Sequence, residues 1–362
     1  MARLATPALL ALSLALSLAA AELAFRAGNF QIGEYAYNLR KYGRLIAYDR
    51  EHGFTRHVAN GAGHVYGVDM RFNAAGMRDR EHSAAKPPGT RRVLVLGDSV
   101  TAGLGVTWEA TFVHRLEEML NAGPSGGPVE VIAAAVPGWN TVAQRSWFFA
   151  EGRGFDPDAV LLLYVSNDNE ALLPWGPVPP QPWRVRVWQW LADHSRVVEA
   201  ATFVYRRYRP RPPDPETWRI LQDMKASRAR RGEELHAFEP DDPGWLASRE
   251  ALAAIAADTR SRSIPFAIVL YNLGGADAPA VLARLREFSA ESGVPVVDSL
   301  SWFAGRPAVE WINMSLHPND DGHAVLAGGM ARTLAEMGFS ASPGARTAPP
   351  PRAAAGSPPS PP

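Results

Sequence analysis

Apolar positions along the middle of this chain follow two alternating patterns. Short and mostly apolar runs, which are typical of strands buried on both faces, occupy residues 92–96, 129–136, 159–165, 265–271 and 295–300. Stretches with apolar residues at helical spacing lie at residues 109–121, 142–150, 245–260, 279–292 and 322–336. Strands that alternate with helices indicate an α/β protein. We therefore predict a three-layer α/β/α sandwich around a mostly parallel, five-stranded sheet.

The segments around this alternation have other compositions. Residues 23–88 combine short polar and apolar stretches with several glycines, which predicts a small N-terminal module of short strands and turns. The main domain is predicted over residues 89–340, with an insertion at about residues 170–243 that is rich in Pro, Trp and Arg. We expect the insertion to be partly helical and to lie over the carboxyl edge of the sheet. Residues 341–362 are rich in Pro and Ala, and we expect them to be disordered.

Residues 1–22 have the composition of a targeting segment. Arg3 precedes an uncharged apolar run at residues 4–21, and Glu22 ends that run. The three alanines before Glu22 fit a signal cleavage site, while the length of the run approaches the ~20 residues that span a bilayer. A cleaved signal peptide and a membrane anchor therefore both stay open. Either one predicts an exported protein that is periplasmic, extracellular or anchored to the outer face of the inner membrane.

Charge and cysteine content narrow the classes of function. The chain has 37 basic and 37 acidic residues, so its formal net charge is zero and we expect no nucleic acid as a partner. It contains no cysteine, which excludes disulfides, thiolate zinc sites and a cysteine nucleophile. Composition does not indicate an oligomeric state.

The end of the first predicted strand carries a candidate nucleophile. The strand stops at Gly97, and Asp98 and Ser99 follow at once, ahead of a segment that leads into a helix. Open α/β sheets bind their ligands at the carboxyl ends of strands. The Ser99 N–H lies in a turn that enters a helix, so it can also face an anion. The sequence thus places a hydroxyl and half of an oxyanion site together.

Three further stretches extend this pattern. Gly138 follows the second strand, Asn167 follows the third, and His317 precedes the last helix. This order, together with Ser99, resembles the SGNH or GDSL-type serine esterase superfamily, in which a Ser, a Gly, an Asn and a His in these places form the site. The resemblance covers residues 90–338. It implies a flavodoxin-like fold and an exported carboxylic ester hydrolase that needs neither a metal nor another cofactor.

The resemblance also implies a role for each residue. Ser99 would attack an ester carbonyl, and His317 would take its proton, because imidazole titrates near neutral pH. The oxyanion would be held by the N–H groups of Ser99 and Gly138 and by the side-chain amide of Asn167, each donor lowering the barrier by about 3–4 kcal/mol. Structural alternatives are a helix cap for Ser99, a turn glycine for Gly138 and an Asx-turn for Asn167. We expect His323 to be structural.

One position departs from the family pattern. The family has an Asp three residues before the His, and this chain has Met314 there. Glu310 or Asp298 could orient His317 instead, or a backbone carbonyl could do so and leave a Ser–His dyad, or the protein could be inactive. Loss of the orienting acid alone leaves substantial catalysis, so Met314 does not remove the enzyme hypothesis.

A stretch of the N-terminal module also resembles the family. Residues 73–78 are similar to a segment that precedes the hydrolase domain in some exported bacterial members. We can assign no chemistry to this stretch. We expect Arg78, its last residue, to form a surface ion pair rather than to bind an acidic group.

These observations lead to three hypotheses. The first is a serine esterase that removes an O-acyl group, such as an acetyl, from a glycan or a lipid-like ester through an acyl-enzyme. The second is an O-acyltransferase that uses the same residues, with a sugar hydroxyl in place of water. The third is a catalytically inactive envelope protein that binds glycan. The expected partner is therefore a small ester or an acylated glycan.

Overall fold

The protein is described here by a computed structural model, which covers residues 2–28, 32, 35–122, 127–170, 182–208, 238–305, 307–313 and 317–339. Helix α1 (Ala2–Ala27) begins the chain, and the short helix α2 (Tyr35–Tyr42) follows. Met314 and the predicted disordered tail at residues 341–362 lie outside the described residues.

Two β-hairpins lie within residues 23–88, where the sequence predicts a small N-terminal module. Strand β1 (Ile46–Asp49) pairs antiparallel with β2 (Phe54–His57), and β3 (Ala62–Val65) pairs antiparallel with β4 (Val68–Arg71). The module packs against the main domain, where the Trp139 Nε1 donates a 2.6 Å hydrogen bond to the carbonyl of Thr55. It is therefore fastened to the loop that carries Gly138.

A five-stranded parallel sheet forms the centre of the main domain. Its strands are β5 (Arg91–Gly97), β6 (Val129–Ala135), β7 (Ala159–Tyr164), β8 (Phe266–Leu270) and β9 (Val296–Asp298). They lie in the order β6-β5-β7-β8-β9, and each neighbouring pair is parallel. The predicted fold class is confirmed. The strand order changes direction between β5 and β7, which is where open α/β sheets form a crevice for ligands.

Helices cover both faces of the sheet because the side chains of a strand alternate between its faces. Val93 and Val95 of β5 face one core, and Leu94 and Leu96 face the other. The first core contains residues of α3 (Phe112–Ala122), and α4 (Thr141–Ala150) packs on the second. The insertion contributes a helical hairpin, made of α5 (Trp183–His194) and α6 (Arg196–Tyr208). The remaining helices are α7 (Pro243–Ser261) and α8 (Ala278–Ser292) on the second core, and α9 (Asp320–Glu336) on the first.

Side-chain caps move two boundaries away from their predicted places. The helix predicted from residue 109 begins at Phe112, because the Thr111 hydroxyl accepts a 3.3 Å hydrogen bond from the His114 N–H and caps it. The strand predicted to reach residue 300 ends at Asp298. The Asp298 carboxylate accepts a 3.0 Å hydrogen bond from the Leu300 N–H and starts a short 3-10 helix there.

Helix α1 has the length and composition of a membrane span. Among the described residues it is the one helix that qualifies, over Pro7–Ala27, and this segment is not buried against the protein. Its 26 residues extend about 39 Å at 1.5 Å per residue, compared with a hydrocarbon core of ~30 Å. The helix is compatible with a signal peptide and with an anchor.

Candidate active site

The turn after β5 holds the Ser99 hydroxyl against Asp98. The Asp98 carboxylate is buried and accepts hydrogen bonds from the Val100 N–H at 3.0 Å and from the Ser99 Oγ at 3.2 Å. The carbonyl of Ser99 accepts a 3.2 Å hydrogen bond from the Leu104 N–H. Ser99 itself is half-buried, so its side chain is accessible from the carboxyl edge of the sheet. Asp98 therefore fixes the turn.

Asn167 meets Ser99 on the same carboxylate. It follows β7, and its Nδ2 donates a 3.4 Å hydrogen bond to the Oδ2 of Asp98, the oxygen that also accepts from the Ser99 hydroxyl. Gly138 follows β6 on the other side of β5 and has a φ of +85°. A side chain is strained in that left-handed conformation, so the turn favours glycine. The three predicted oxyanion residues thus follow three neighbouring strands.

A second buried carboxylate supports the Asn167 turn. The Asp168 side chain accepts hydrogen bonds from the Val165 N–H at 2.6 Å and from the Gln144 Nε2 at 2.7 Å. Burial, and then the charge of Asp98, raise the pKa of Asp168 well above its usual value. The Asp168 carbonyl also accepts a 3.2 Å bond from the Thr141 N–H, which connects this turn to the start of α4.

The charge of His317, in the C-terminal part of the chain, acts on Asp98. His317 lies between a 3-10 helix (Ala308–Trp311) and α9, and it is half-buried. Burial raises the pKa of Asp98, whereas the hydrogen bond from Val100 and the charge of His317 lower it. The carboxylate of Asp98 therefore interacts with Ser99, Asn167 and His317, which belong to three segments far apart in the sequence.

Asn313 connects the serine turn to the histidine segment. Its Nδ2 donates a 3.2 Å hydrogen bond to the carbonyl of Leu104, and its N–H donates a 2.9 Å bond to the carbonyl of His317. Gly105 has a φ of +83°, and a Cβ there would clash with the Asn313 side chain, so this position favours glycine. Together with the bond between Leu104 and Ser99, these contacts form a continuous chain from Ser99 to His317.

Arg78 holds the serine turn from the N-terminal module. The expected surface ion pair is wrong, because Arg78 is only 4% exposed. Its guanidinium donates to the carbonyls of Ala102 at 2.8 Å, Gly103, and Val106 at 2.7 Å. Burial lowers its pKa to about 10, so it stays charged at neutral pH. The resemblance of residues 73–78 to a family segment is the sequence signal that pointed to this region. It does not indicate which loop Arg78 binds.

The two acids suggested for orienting His317 have different surroundings. The Asp298 carboxylate accepts hydrogen bonds from the Asn272 Nδ2 at 2.9 Å and from the Leu300 N–H at 3.0 Å, in the 3-10 helix that follows β9. The Glu310 side chain is exposed, and its carbonyl accepts a 2.9 Å bond from the Asn319 Nδ2. Their role toward His317 stays a hypothesis. Asp98 is an additional acid whose charge acts on this histidine.

His323 and metal ligation complete the description of the site. His323 is buried, and its Nδ1 accepts a 3.1 Å hydrogen bond from the Phe112 N–H at the start of α3, which agrees with the expected structural role. Burial lowers its pKa to about 3. Within the described ranges, no group of three or more His, Asp or Glu side chains is arranged to hold a metal ion.

A cavity opens at the carboxyl ends of β8 and β9. It has a volume of about 620 Å³ and is lined by Leu273, Asp298, Leu300, Ser301, Phe303, Ala304 and Trp311. The carbonyl of Trp311 accepts a 2.8 Å hydrogen bond from the Asn319 N–H, two residues after His317. Ile312 and Pro318 form an antiparallel bridge between them. The cavity wall and the histidine segment are therefore joined.

Comparison with known proteins identifies the family. The model of the GDSL-like lipase/acylhydrolase family matches residues 95–325, from β5 to α9. The match covers more than half of the chain, so the chain belongs to this family within the SGNH hydrolase superfamily. The protein is therefore a carboxylic ester hydrolase. A search of curated proteins finds no match to this sequence.

Several solved structures are similar in fold. The esterase EstA from Pseudoalteromonas sp. is 13% identical over 69% of this chain and 100% of its own, with a TM-score of 0.41. TesA is 15% identical over 68% of this chain and 99% of its own, with a TM-score of 0.43. The acetyl-xylooligosaccharide esterase Axe2 from Geobacillus is 16% identical over 69% of this chain and 95% of its own, with a TM-score of 0.41.

Proposed function

We propose that the protein removes an O-acyl group from a small ester or an acylated glycan outside the cytoplasm, with Ser99 as the nucleophile. One observation carries this proposal: Ser99 and Asn167 bind the same oxygen of Asp98, and the charge of His317 acts on that carboxylate. A hydroxyl and an amide donor thus share one buried acid at the carboxyl edge of the sheet, and the charge of an imidazole acts on that acid.

The reaction proceeds in two steps. The Ser99 hydroxyl leaves Asp98, gives its proton to His317 and attacks the ester carbonyl carbon. The N–H groups of Ser99 and Gly138 and the Nδ2 of Asn167 stabilise the oxyanion, and its collapse expels the alcohol, which takes the proton from His317. Water then attacks the acyl-enzyme, again with His317 as base, and releases the carboxylic acid and the Ser99 hydroxyl.

Asp98 supplies negative charge in a site where the usual acid is replaced by Met314. Its carboxylate stabilises the imidazolium that forms when His317 takes the proton, because opposite charges in a buried site interact strongly. It also keeps the resting Ser99 hydroxyl in an ordered position. The atom that orients the far nitrogen of His317 can still be Glu310, Asp298 or a backbone carbonyl.

The cavity beside the histidine segment is the proposed subsite for part of the substrate. Its volume of about 620 Å³ lies within the ~300–1,000 Å³ range of small-molecule sites. Leu273, Phe303 and Trp311 supply an apolar and aromatic wall, while Asp298 and Ser301 supply hydrogen-bonding groups. Such a lining suits a sugar ring, with an apolar face and hydroxyl groups, or a short acyl chain.

Replacement of Ser99 by Ala tests the nucleophile. We expect hydrolysis of p-nitrophenyl acetate to fall by on the order of 10³-fold or more, because the acyl-enzyme forms on the Ser99 hydroxyl. A fluorophosphonate probe should label the wild-type protein and not this variant. Ser261→Ala, at an exposed helix end, is the matched control and should keep both properties. Undiminished turnover by a folded Ser99→Ala protein would contradict the proposal.

Product analysis and probe labelling also test the two alternative functions, acyl transfer and glycan binding without catalysis. An acyltransferase would give an acylated product when a glycan acceptor is added, whereas a hydrolase gives free carboxylic acid. An inactive glycan-binding protein would leave the fluorophosphonate probe unreacted at Ser99. Product analysis and labelling therefore distinguish the three hypotheses.

A further inference from the structure

The α5–α6 hairpin exposes an unusual number of large apolar side chains. Eight of them are between 37% and 80% exposed: Trp183, Val185, Val187, Trp188, Trp190, Val204, Tyr205 and Tyr208. We call these residues the insertion patch. Extended apolar patches on a protein surface mark sites that contact a protein or a membrane. Three tryptophans and two tyrosines favour a membrane interface, where such amphipathic rings concentrate at the level of the lipid headgroups.

The end of α1 is built into this hairpin. The Glu22 carboxylate accepts hydrogen bonds from the Ser195 Oγ at 2.8 Å and from the N–H groups of Arg196 and Val197, each at 3.1 Å. Glu22 thus caps the N-terminus of α6. Burial raises the pKa of Glu22, but these hydrogen bonds and the one from Arg26 lower it to about 2. The cap is therefore charged at neutral pH.

A second contact joins α1 to the end of α5. The Arg26 Nη2 donates a 2.7 Å hydrogen bond to the carbonyl of His194, and its Nε donates a 2.7 Å bond to Glu22. The side chains that make these contacts follow the apolar run directly. Cleavage after Ala21 would leave Glu22 as a free N-terminus and would remove the helix that holds it in place. The geometry therefore favours an α1 that is retained.

We propose that α1 is an uncleaved membrane anchor and that the insertion patch lies on the surface of the same bilayer. The occupant of the patch is lipid, because α1, the candidate membrane span, packs against α6 of the same hairpin. Arg184 and Arg186 are exposed between the apolar side chains of α5, where they can extend toward lipid phosphates.

This arrangement holds the catalytic edge at a fixed place relative to the membrane. The insertion leaves the main domain after β7, the strand that carries Asn167, and returns to it at α7. A patch bound to lipid would keep the ester hydrolase close to the bilayer surface. The inference does not depend on the identity of the nucleophile, so the two proposals fail separately.

The absence of cysteine allows a direct test with the full-length chain. Trp190→Cys and Tyr205→Cys, each labelled with an environment-sensitive NBD fluorophore, report on the patch in phospholipid nanodiscs. Met119→Cys on α3, with 46% exposure in the wild type, is the matched control. We expect the two patch labels to shift to the blue and to be quenched by lipids that carry a nitroxide near the headgroup. The control label should show neither change.

Two results would overturn the proposal. Patch labels that behave like the control, or that are shielded only in a dimer or another protein complex, would show that lipid does not cover the patch. The protein would be purified from membranes with a C-terminal tag. An intact mass equal to that of a chain that begins at Glu22 would show that α1 is cleaved. Circular dichroism of all labelled variants serves as the check of folding, so the test stands whether or not the proposed hydrolysis is observed.

Discussion

Polar side chains are buried at the carboxyl edge of the sheet, whereas large apolar side chains are exposed on the α5–α6 hairpin. At the edge, Asp98, Asp168 and Arg78 are each at most 4% exposed, and each has hydrogen-bond partners within the protein. Burial of such groups without partners would cost several kcal/mol. On the hairpin, Trp183 and Trp190 have 66% and 58% of their surface exposed.

This difference in burial shows whether the groups that stabilise each region lie inside or outside the protein. The buried charged groups of the edge find their partners within the protein, since donors and carboxylates from separate segments bind each other before any substrate binds. The hairpin lacks such a partner in water. Each Å² of its exposed apolar surface would contribute about 25 cal/mol of stabilisation if it were buried. A preorganised site suits catalysis, and an unsatisfied apolar surface suits a second medium such as lipid.

Among variants that keep the nucleophile, the largest expected effect comes from breaking the edge at Asn167. In Asn167→Ala, the oxyanion loses a donor and Asp98 loses a hydrogen bond, so kcat should fall by about 10²–10³-fold with a smaller change in KM. Ser166→Gly, which alters the exposed neighbouring residue, is the control and should change kcat little. Steady-state kinetics with p-nitrophenyl acetate measure both. Equal kcat values for the two variants would remove Asn167 from the oxyanion site.

Arg78→Lys tests whether the N-terminal module positions the serine turn. A lysine cannot reach the three carbonyls at once, so we expect the free energy of unfolding to fall by about 3 kcal/mol, measured by urea denaturation. The rate of fluorophosphonate labelling at Ser99 should also fall at a temperature where the variant is fully folded. Arg71→Lys, on the exposed side of β4, is the control. A loss of stability with an unchanged labelling rate would mean that Arg78 is structural and does not position Ser99.

Acid should destabilise the protein through two buried imidazoles. Burial lowers the pKa values of His57 and His323 to about 3, from a usual value of 6.5. The unfolded chain therefore binds more protons than the folded protein between pH 6.5 and about 3. Their contribution to stability is complete above pH 6.5 and decreases as the pH falls, by about 2 kcal/mol for each histidine at pH 5.

Urea denaturation at pH 7 and pH 5 measures this loss. The difference between the two pH values should be about 2 kcal/mol smaller in His57→Gln or in His323→Gln than in the wild type. Ser261→Ala, which changes an exposed side chain that does not titrate, should leave the difference unchanged. An identical difference in all four proteins would mean that the buried imidazoles do not stay neutral.

The strands and their order along the chain were accessible to sequence reasoning because their apolar runs are buried on both faces. Five such runs predicted five strands, and the structure contains all five. Their boundaries were less accessible where a side chain decides them. Asp298 ends β9 through its own hydrogen bonds, and Thr111 sets the start of α3 in the same way. The insertion was expected to be partly helical, but its apolar surface has no sequence pattern that distinguishes packing from exposure.

The sequence by itself determined that Ser99, Gly138 and Asn167 share one edge, because every strand of a parallel sheet ends on the same side. Only the tertiary structure decided that Arg78 is buried under the serine turn, that Asp98 interacts with His317, and that Glu22 caps a helix 174 residues away. These contacts join segments that are distant along the chain. Local periodicity encodes which face a residue occupies, whereas the partner that it meets there depends on how the folded segments pack against each other.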